Sequence, residues 1–315
     1  MRGVGRGSLL LAACVLVLSG CMTPQALRLR EQSPAPVELT GVPYFAQQDH
    51  QCGPATLAMV LGHLGRSVTP ESLAPDLYLP ARQGTLAQEL MAQARRHGYL
   101  PEKLAPDLRA LAQALADGTP VIVLQNNGLS WYPVWHYAVL IGVDPARGEV
   151  ILRSGAQQRL TASWSVFDRT WARGERWAIR LLDPRQPWPA SADAAALAPQ
   201  LLALARTQPA LAIPGLRQGV MRWPRQVALW LALAGAEAGG RGVKAGEAVL
   251  REALAVLPDN PWLLNNLADA LLRDGRAREA LPLARQAVAG DDRAETRDTL
   301  RAVREALAVS MPTPD

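Results

Sequence analysis

Apolar positions along this chain read first as helices, then as strands, then as helices again. From Val42 to Leu64, VPYFAQQDHQCGPATLAMVLGHL, the pattern predicts a short apolar strand, a Gln-rich loop, and an uninterrupted apolar helix opened by Cys52-Gly53-Pro54. Thr69-Pro70-Glu71 opens a short helix, Leu86 to His97 forms another with Gly98 as its C-cap, and Ala105 to Ala116 a third, closed by Asp117-Gly118. Pro120 to Leu124 then carries a buried-strand signal, followed by the loop Gln125 to Val134. Tyr137 to Val143 and Glu149 to Arg153 read as a hairpin around Asp144 to Gly148, and Trp177 to Leu182 as a last strand. Helices followed by strands imply an α+β domain. Trp164, Phe167 and Trp171 belong to the rest of this domain, whose Trp171-Ala172-Arg173-Gly174 stretch and last strand are expected to complete the sheet and one cleft wall; Trp131 and Trp135 are read as core, with a groove as their other reading.

A Pro-rich stretch from Asp183 to Pro189 ends that domain. Ala192 to Arg206 reads as a helix, Pro209 to Trp223 as a linker or short helix, and the helical signal is nearly continuous from Arg225. Within it Trp230, Leu233, Ala234 and Ala253 match Leu264, Leu267, Ala268 and Ala287 at a period of 34 residues. This period and its small-residue positions resemble tetratricopeptide repeats, with Glu295 to Ala308 as a capping helix. Such an array presents a groove for an extended peptide or a partner protein.

The N-terminus changes the picture of where the chain works. Arg2 and Arg6 precede the apolar run Leu9 to Leu18, which reads as an export signal and is too short for a stable membrane span. Leu18-Ser19-Gly20-Cys21 resembles a bacterial lipobox, which implies cleavage before Cys21, lipid on that cysteine, and attachment at the bacterial envelope. Met22 after it resembles outer-membrane sorting, with the chain facing the periplasm. Expected segments are a signal peptide at 1–20, a tether at 21–39, the α+β domain at 40–183, a linker with helix at 184–224 and the repeats at 225–310. The net charge of +5 is spread as Arg without a basic run, which argues against a nucleic-acid partner.

Cysteine arithmetic then singles out one thiol. Cys14 lies in the signal and Cys21 carries lipid, so Cys52 is the free thiol of the mature chain. It sits where a helix begins, with the positive end of the macrodipole favouring a thiolate. Gly53 leaves room for close approach, and Gln47 and Gln48 carry amide donors suited to an oxyanion. Four histidines compete as the base. His50 is too local, His63 lies about 16 Å along the same helix, and His97 belongs to a helix end. His136, at the mouth of a strand, is the candidate. No metal-ligand spacing and no phosphate loop is present, and no cofactor is implied.

Gln-x4-Cys-Gly-Pro-Ala entering a helix, with His136-Tyr137-Ala138-Val139 on a later strand, resembles the bacteriocin-processing double-glycine peptidases, cysteine peptidase family thirty-nine. The resemblance spans roughly residues 40 to 183 and implies a papain-like fold. It also implies thiolate attack by Cys52 on a peptide carbonyl, with His136 as base and acid and a Gln as oxyanion donor. The sequence departs from that family twice. Ala46 stands six residues before the cysteine where the family's Gln usually sits, which leaves Gln47 as the assignment and Gln48 as the alternative. Arg153-Ser154 replaces the usual Asp-Pro on the partner strand, so Ser154 is the residue expected to orient His136. Asp144 is about 26 Å along an extended strand from His136 and cannot do so. The other reading of this departure is an inactive lipid-anchored assembly factor that binds peptides without cutting them; acyl transfer on a similar Cys-His site is a third.

Overall fold

The computed structural model describes residues 35–47, 51–82 and 84–309. The expected signal peptide, Cys14, the lipid cysteine Cys21, Gln48 and His50 lie outside the described residues. The described chain divides into two compact units, one holding residues up to Leu90 with Lys103–Arg180, the other holding Met91–Glu102 with Leu181 onward.

The first unit is built on a mostly antiparallel sheet. The sheet's strands are β1 (Val37–Glu38), β2 (Leu100–Lys103), β3 (Val121–Asn126), β4 (Trp135–Asp144), β5 (Glu149–Ser154), β6 (Gln157–Ser163) and β7 (Ala178–Leu182), of which Leu100–Glu102 and Leu181–Leu182 belong to the second unit. The order is β2-β7-β3-β4-β5-β6, with β1 paired to the far end of β4. β3 and β4 run antiparallel from Val121 opposite Leu140 to Asn126 opposite Trp135, which puts His136 opposite Gln125. The unit's helices are α1 (Cys52–His63), α2 (Pro70–Leu77), α4 (Leu108–Ala116) and α5 (Trp164–Arg173), with the first turn of α3 (Ala87–Arg96), whose residues from Met91 belong to the second unit.

Helix α1 is buried at every position from Gly53 to Leu61, as an all-apolar helix must be, and it packs on β3 and β4. Thr69 caps α2 by accepting from the Ser72 N–H, Asp107 caps α4 through Ala110, and Ser163 caps α5 through Val166. Trp164, Phe167 and Trp171 from α5 join Leu111, Leu115 and Val121 in one core cluster.

Four stretches differ from the pattern-based reading. No strand forms at Val42 to Phe45; Pro43 removes a donor, and the Thr40 and Val42 carbonyls accept from the buried Arg153 guanidinium instead of from a ladder. Strand β6 is unanticipated because its residues Gln157 to Ser163 are largely exposed, with Leu160 and Ala162 packed against the core. Trp171 to Arg173, expected to help complete the sheet, instead end the unanticipated helix α5, where Trp171 is buried; β2 is also unanticipated, its Pro101 and Glu102 being poor strand formers. Trp131 and Trp135 are exposed, 81% and 54%, and not core.

The second unit is helical apart from its strand ends. It holds α6 (Ala194–Thr207), α7 (Pro209–Arg222), α8 (Val227–Arg241), α9 (Val243–Val256), α10 (Pro261–Arg273), α11 (Ala277–Gly290) and α12 (Ala294–Val309). Helices α8 and α10 begin 34 residues apart, and so do α9 and α11. Trp230, Leu233, Ala234 and Ala253 and their 34-residue counterparts are all buried. Where a linker with one helix was expected, α6 and α7 form a further packed pair, so the pairing extends one unit toward the N-terminus. Small residues set the spacing: a Cβ at Gly246 would lie 2.8 Å from the Ala234 carbonyl.

Candidate active site

Cys52 is the first residue of α1 and is partly buried. Its thiol faces backbone N–H groups of Tyr137, Gly53 and Cys52 itself, so the helix start and strand β4 meet at the sulfur. Burial is the largest influence and pushes the thiol up, while those three N–H groups pull it down. The helix-terminus effect expected from sequence is therefore present but outweighed by desolvation. Tyr137, buried and edge-on to Trp177 at 5.7 Å, has its phenol pushed up by burial and then by the nearby Cys52.

The position after the cysteine admits only glycine. A Cβ there would fall 2.3 Å from Thr85 Oγ1, a buried hydroxyl with no hydrogen-bond partner among the described residues. Thr85 thus seals one side of the helix start against the chain that leads into α3.

His136 follows Trp135 at the start of β4 and directly precedes Tyr137. Its Nε2 lies 2.9 Å from Ser154 Oγ at the end of β5. That contact engages one ring nitrogen and leaves Nδ1 for the cleft. Burial holds the imidazole below the ordinary histidine value. No hydrogen bond joins the ring to Cys52 among the described residues; the two are linked through adjacent backbone, His136 being the neighbour of the residue whose N–H faces the sulfur.

Gln47 is clamped on both ends of its amide. Its Oε1 accepts from the Gly155 N–H at 3.0 Å, and its Nε2 donates to the Tyr137 carbonyl at 3.3 Å. The first bond fixes which end of the amide is oxygen, and the second spends one of two NH2 hydrogens, so one donor remains. The Gln47 N–H and the Tyr44 hydroxyl both donate to the Gly155 carbonyl, at 3.1 and 3.0 Å. Gly155 has φ +57°, the left-handed region that glycine adopts without strain. The last residue of β5 and the two-residue turn after it, Gly155-Ala156, therefore hold His136 by the Ser154 side chain and Gln47 by the Gly155 backbone.

Arg153, adjacent to this turn, points away from the site. Its guanidinium donates to the Val42 carbonyl at 2.9 Å, to the Thr40 carbonyl at 3.4 Å and to the Gln158 carbonyl. It pins the segment that leads to Gln47. Asp144 serves the other turn, accepting from the Arg147 N–H at 3.0 Å. His63 pairs with the Gly118 carbonyl at 3.1 Å. Sequence reasoning missed Gly155, Arg153 and the Tyr137 backbone; a glycine two residues past an apolar strand was the available signal for the first.

Among the described residues no group of three or more His, Cys, Asp or Glu is placed to hold a metal, and no helix is long and apolar enough to cross a membrane.

Residues 39–179 match the model of the family described as Peptidase_C39 like. Two solved structures are similar to part of the chain. One is a putative C39-like peptidase from Bacillus anthracis, with 18% identity, covering 47% of this chain and 98% of that one at a TM-score of 0.40. The other is the peptidase domain of Streptococcus ComA, a bifunctional ABC transporter involved in quorum sensing, with 23% identity, covering 44% and 97% at 0.35. No curated protein matches at a significant level.

Proposed function

We propose that this chain is a cysteine peptidase of the bacterial envelope, anchored by lipid on Cys21 on the periplasmic face of the outer membrane. The observation that carries the chemistry is the convergence on β4, where Cys52 and Gln47 both meet the backbone of Tyr137 and His136 is the next residue. The family match over residues 39–179 supports the same reaction class. In this reading His136 Nδ1 takes the thiol proton as Sγ attacks the peptide carbonyl carbon. The free Gln47 N–H and the helix-start N–H groups receive the oxyanion, and the proton passes to the leaving amine. Water then hydrolyses the acyl-enzyme with His136 as base again.

The resting pair is neutral. Burial raises the thiol and lowers the imidazole, and Ser154 brings no charge to stabilise imidazolium, so the proton moves only as the bond forms. The helical unit, proposed as tetratricopeptide repeats, recruits the peptide substrate or a protein partner. A second reading has one observation in its favour: a neutral hydroxyl stands where the resembling family carries an acid, which fits a peptide-binding assembly lipoprotein that does not cut.

The two separate on one experiment. The full chain, with Cys52→Ala and His136→Ala beside it, is incubated with peptides from an envelope extract and products are read by mass spectrometry. Cleavage by the parent, lost in both variants, is the expected result. Retained cleavage in Cys52→Ala sinks the peptidase reading. Peptide binding without products, equal in parent and Cys52→Ala, assigns the second. Mapped iodoacetamide labelling of Cys52 is expected to rise only at alkaline pH.

A further inference from the structure

Ten large apolar side chains stand exposed among the described residues, and five of them, Leu129, Trp131, Tyr132, Val134 and Trp135, fall within the β3–β4 loop and its exit. No residue from Asn127 to Trp135 carries a charge. Trp131 and Tyr132, at the tip, are 81% and 69% exposed. A monomer rarely leaves such a cluster uncovered without a use for it.

The tip is held in place from inside the protein. Asn126 is 2% exposed, and its Oδ1 accepts from the N–H groups of Gly128 and Val134, both at 2.9 Å. Its Nδ2 donates to the Leu129 carbonyl at 3.4 Å. Leu129 and Tyr132 exchange N–H···O bonds at 3.1 Å, and the Asn127 N–H donates to the Val134 carbonyl at 2.9 Å. The loop closes so tightly that a Cβ at Gly128 would lie 2.3 Å from the Tyr132 carbonyl. A buried asparagine is thus committed to presenting rings that bury little surface in their own unit, and ordering them on contact costs little more entropy.

A bilayer surface suits this tip better than an extended peptide does. Indole and phenol rings pair an apolar body with a polar edge and settle at headgroup depth, and a convex uncharged tip inserts there, whereas peptide recognition uses grooves or strand edges. Two arginines, with the exposed Glu175 two residues past the second, stand on the chain beside the loop's base. Arg173 donates through Nε to the Asn126 carbonyl at 3.1 Å and makes no ion pair among the described residues; Arg169, exposed, lies one turn earlier on α5. Both complement anionic headgroups. Reach is sufficient too: the chain from Cys21 to Val37 can extend about 50 Å, and β4 carries only about 26 Å from Val143, beside β1, to Trp135.

We infer that the Leu129–Trp135 tip is a membrane contact, seating Trp131 and Tyr132 among headgroups while Arg169 and Arg173 face anionic lipid. This inference does not rest on the peptidase reading. It is tested on the full chain carrying Cys21→Ser, so that no lipid is attached, by co-sedimentation with vesicles of phosphatidylcholine and phosphatidylglycerol. All variants share the N-terminal segment, so its contribution cancels. Trp131→Ser with Tyr132→Ser is expected to lower the partition coefficient about tenfold or more. Met221→Ser, a control at a residue also 81% exposed, leaves it unchanged. Leu129→Ser alone, expected to weaken partition by a smaller factor, replaces the double variant if its unfolding midpoint moves. Partition equal to the parent in these tip variants overturns the inference, and if the same substitutions raise KM for a cleaved peptide, the tip belongs to the substrate.

Discussion

Two regions of this molecule bury polar side chains in opposite ways. Around the β5–β6 corner, the terminal nitrogens of Arg153 donate to carbonyls while its buried Nε has no partner, His136 is held by the Ser154 hydroxyl, and Gln47 by the backbone of Gly155 and Tyr137, with no carboxylate hydrogen-bonded to any of them among the described residues. In the helical unit, beside the neutral Asn265 and Thr296, two buried carboxylates are held by guanidinium groups. Glu247 pairs with Arg251 on its own helix and, at 2.8 Å, with Arg276 at the entry to α11; Glu237 pairs with Arg217 at 3.1 Å and Arg241 at 3.2 Å. Neutral bonds to backbone set geometry independently of pH and salt, at a site where burial pushes the thiol up and the imidazole down. Ion pairs between helices are cheaper in sequence terms, since one Glu and one Arg suffice, but they tie stability to charge.

The sharpest way to break the contrast is at Gln47. Gln47→Ala removes the remaining NH2 donor and is expected to lower kcat for peptide cleavage about 100- to 1,000-fold, with KM little changed. An effect confined to stability would reduce Gln47 to a strut. Next, Glu247→Gln leaves Arg251 without its ion-pair partner, while Arg276 keeps Glu279 and Asp274, and is expected to remove about 1 kcal/mol from the helical unit, discounted because both arginines are partly exposed. Urea unfolding followed by hydrogen exchange in α9 and α11 checks it.

Ser154→Asp imports charge into the neutral corner. A carboxylate beside the ring favours imidazolium, so the His136 value rises, and the acid limb of the kcat/KM profile, which requires neutral imidazole, moves to higher pH by about one unit. In the parent that limb lies below the ordinary histidine value, because burial lowers it. The smallest expected effect is that of salt: raising ionic strength from low to about 1 M screens the half-exposed Arg partners and costs the helical unit a few tenths of a kcal/mol. Amides of β4 and β5 should be indifferent to the same change.

Much of the α+β architecture was legible because burial and period coincide. Helix α1 announces itself by an unbroken apolar run behind Cys-Gly-Pro, and β3 and β4 by Val, Ile and Leu at buried positions. Residues failed to signal where they work against their type. Arg153 is 5% exposed despite its charge, because three carbonyls surround it. Trp131 does the reverse, apolar yet outside. Polar β6 looks like loop because an edge strand needs only alternate contacts on one face. The clustering of Met91–Glu102 with the helical unit was also hidden, since it depends on distant pairs such as Arg95 with Gln200 and Glu102 with the Asp193 N–H.

The two ends of β5 differ in how freely they can change length. At one end, Asp144 to Gly148 turns the chain with the Arg147 N–H on Asp144 and the Trp164 N–H on the Gly148 carbonyl, and none of these bonds involves Gln47 or His136, so an inserted residue there would leave both in place. At the other, Gly155 and Ala156 are the whole connection to β6, and the last strand residue, Ser154, and the first turn residue, Gly155, each hold a different working group. One residue added or removed would shift both in the same step. Natural variation in this chain should therefore lengthen the first turn and leave the second at two residues.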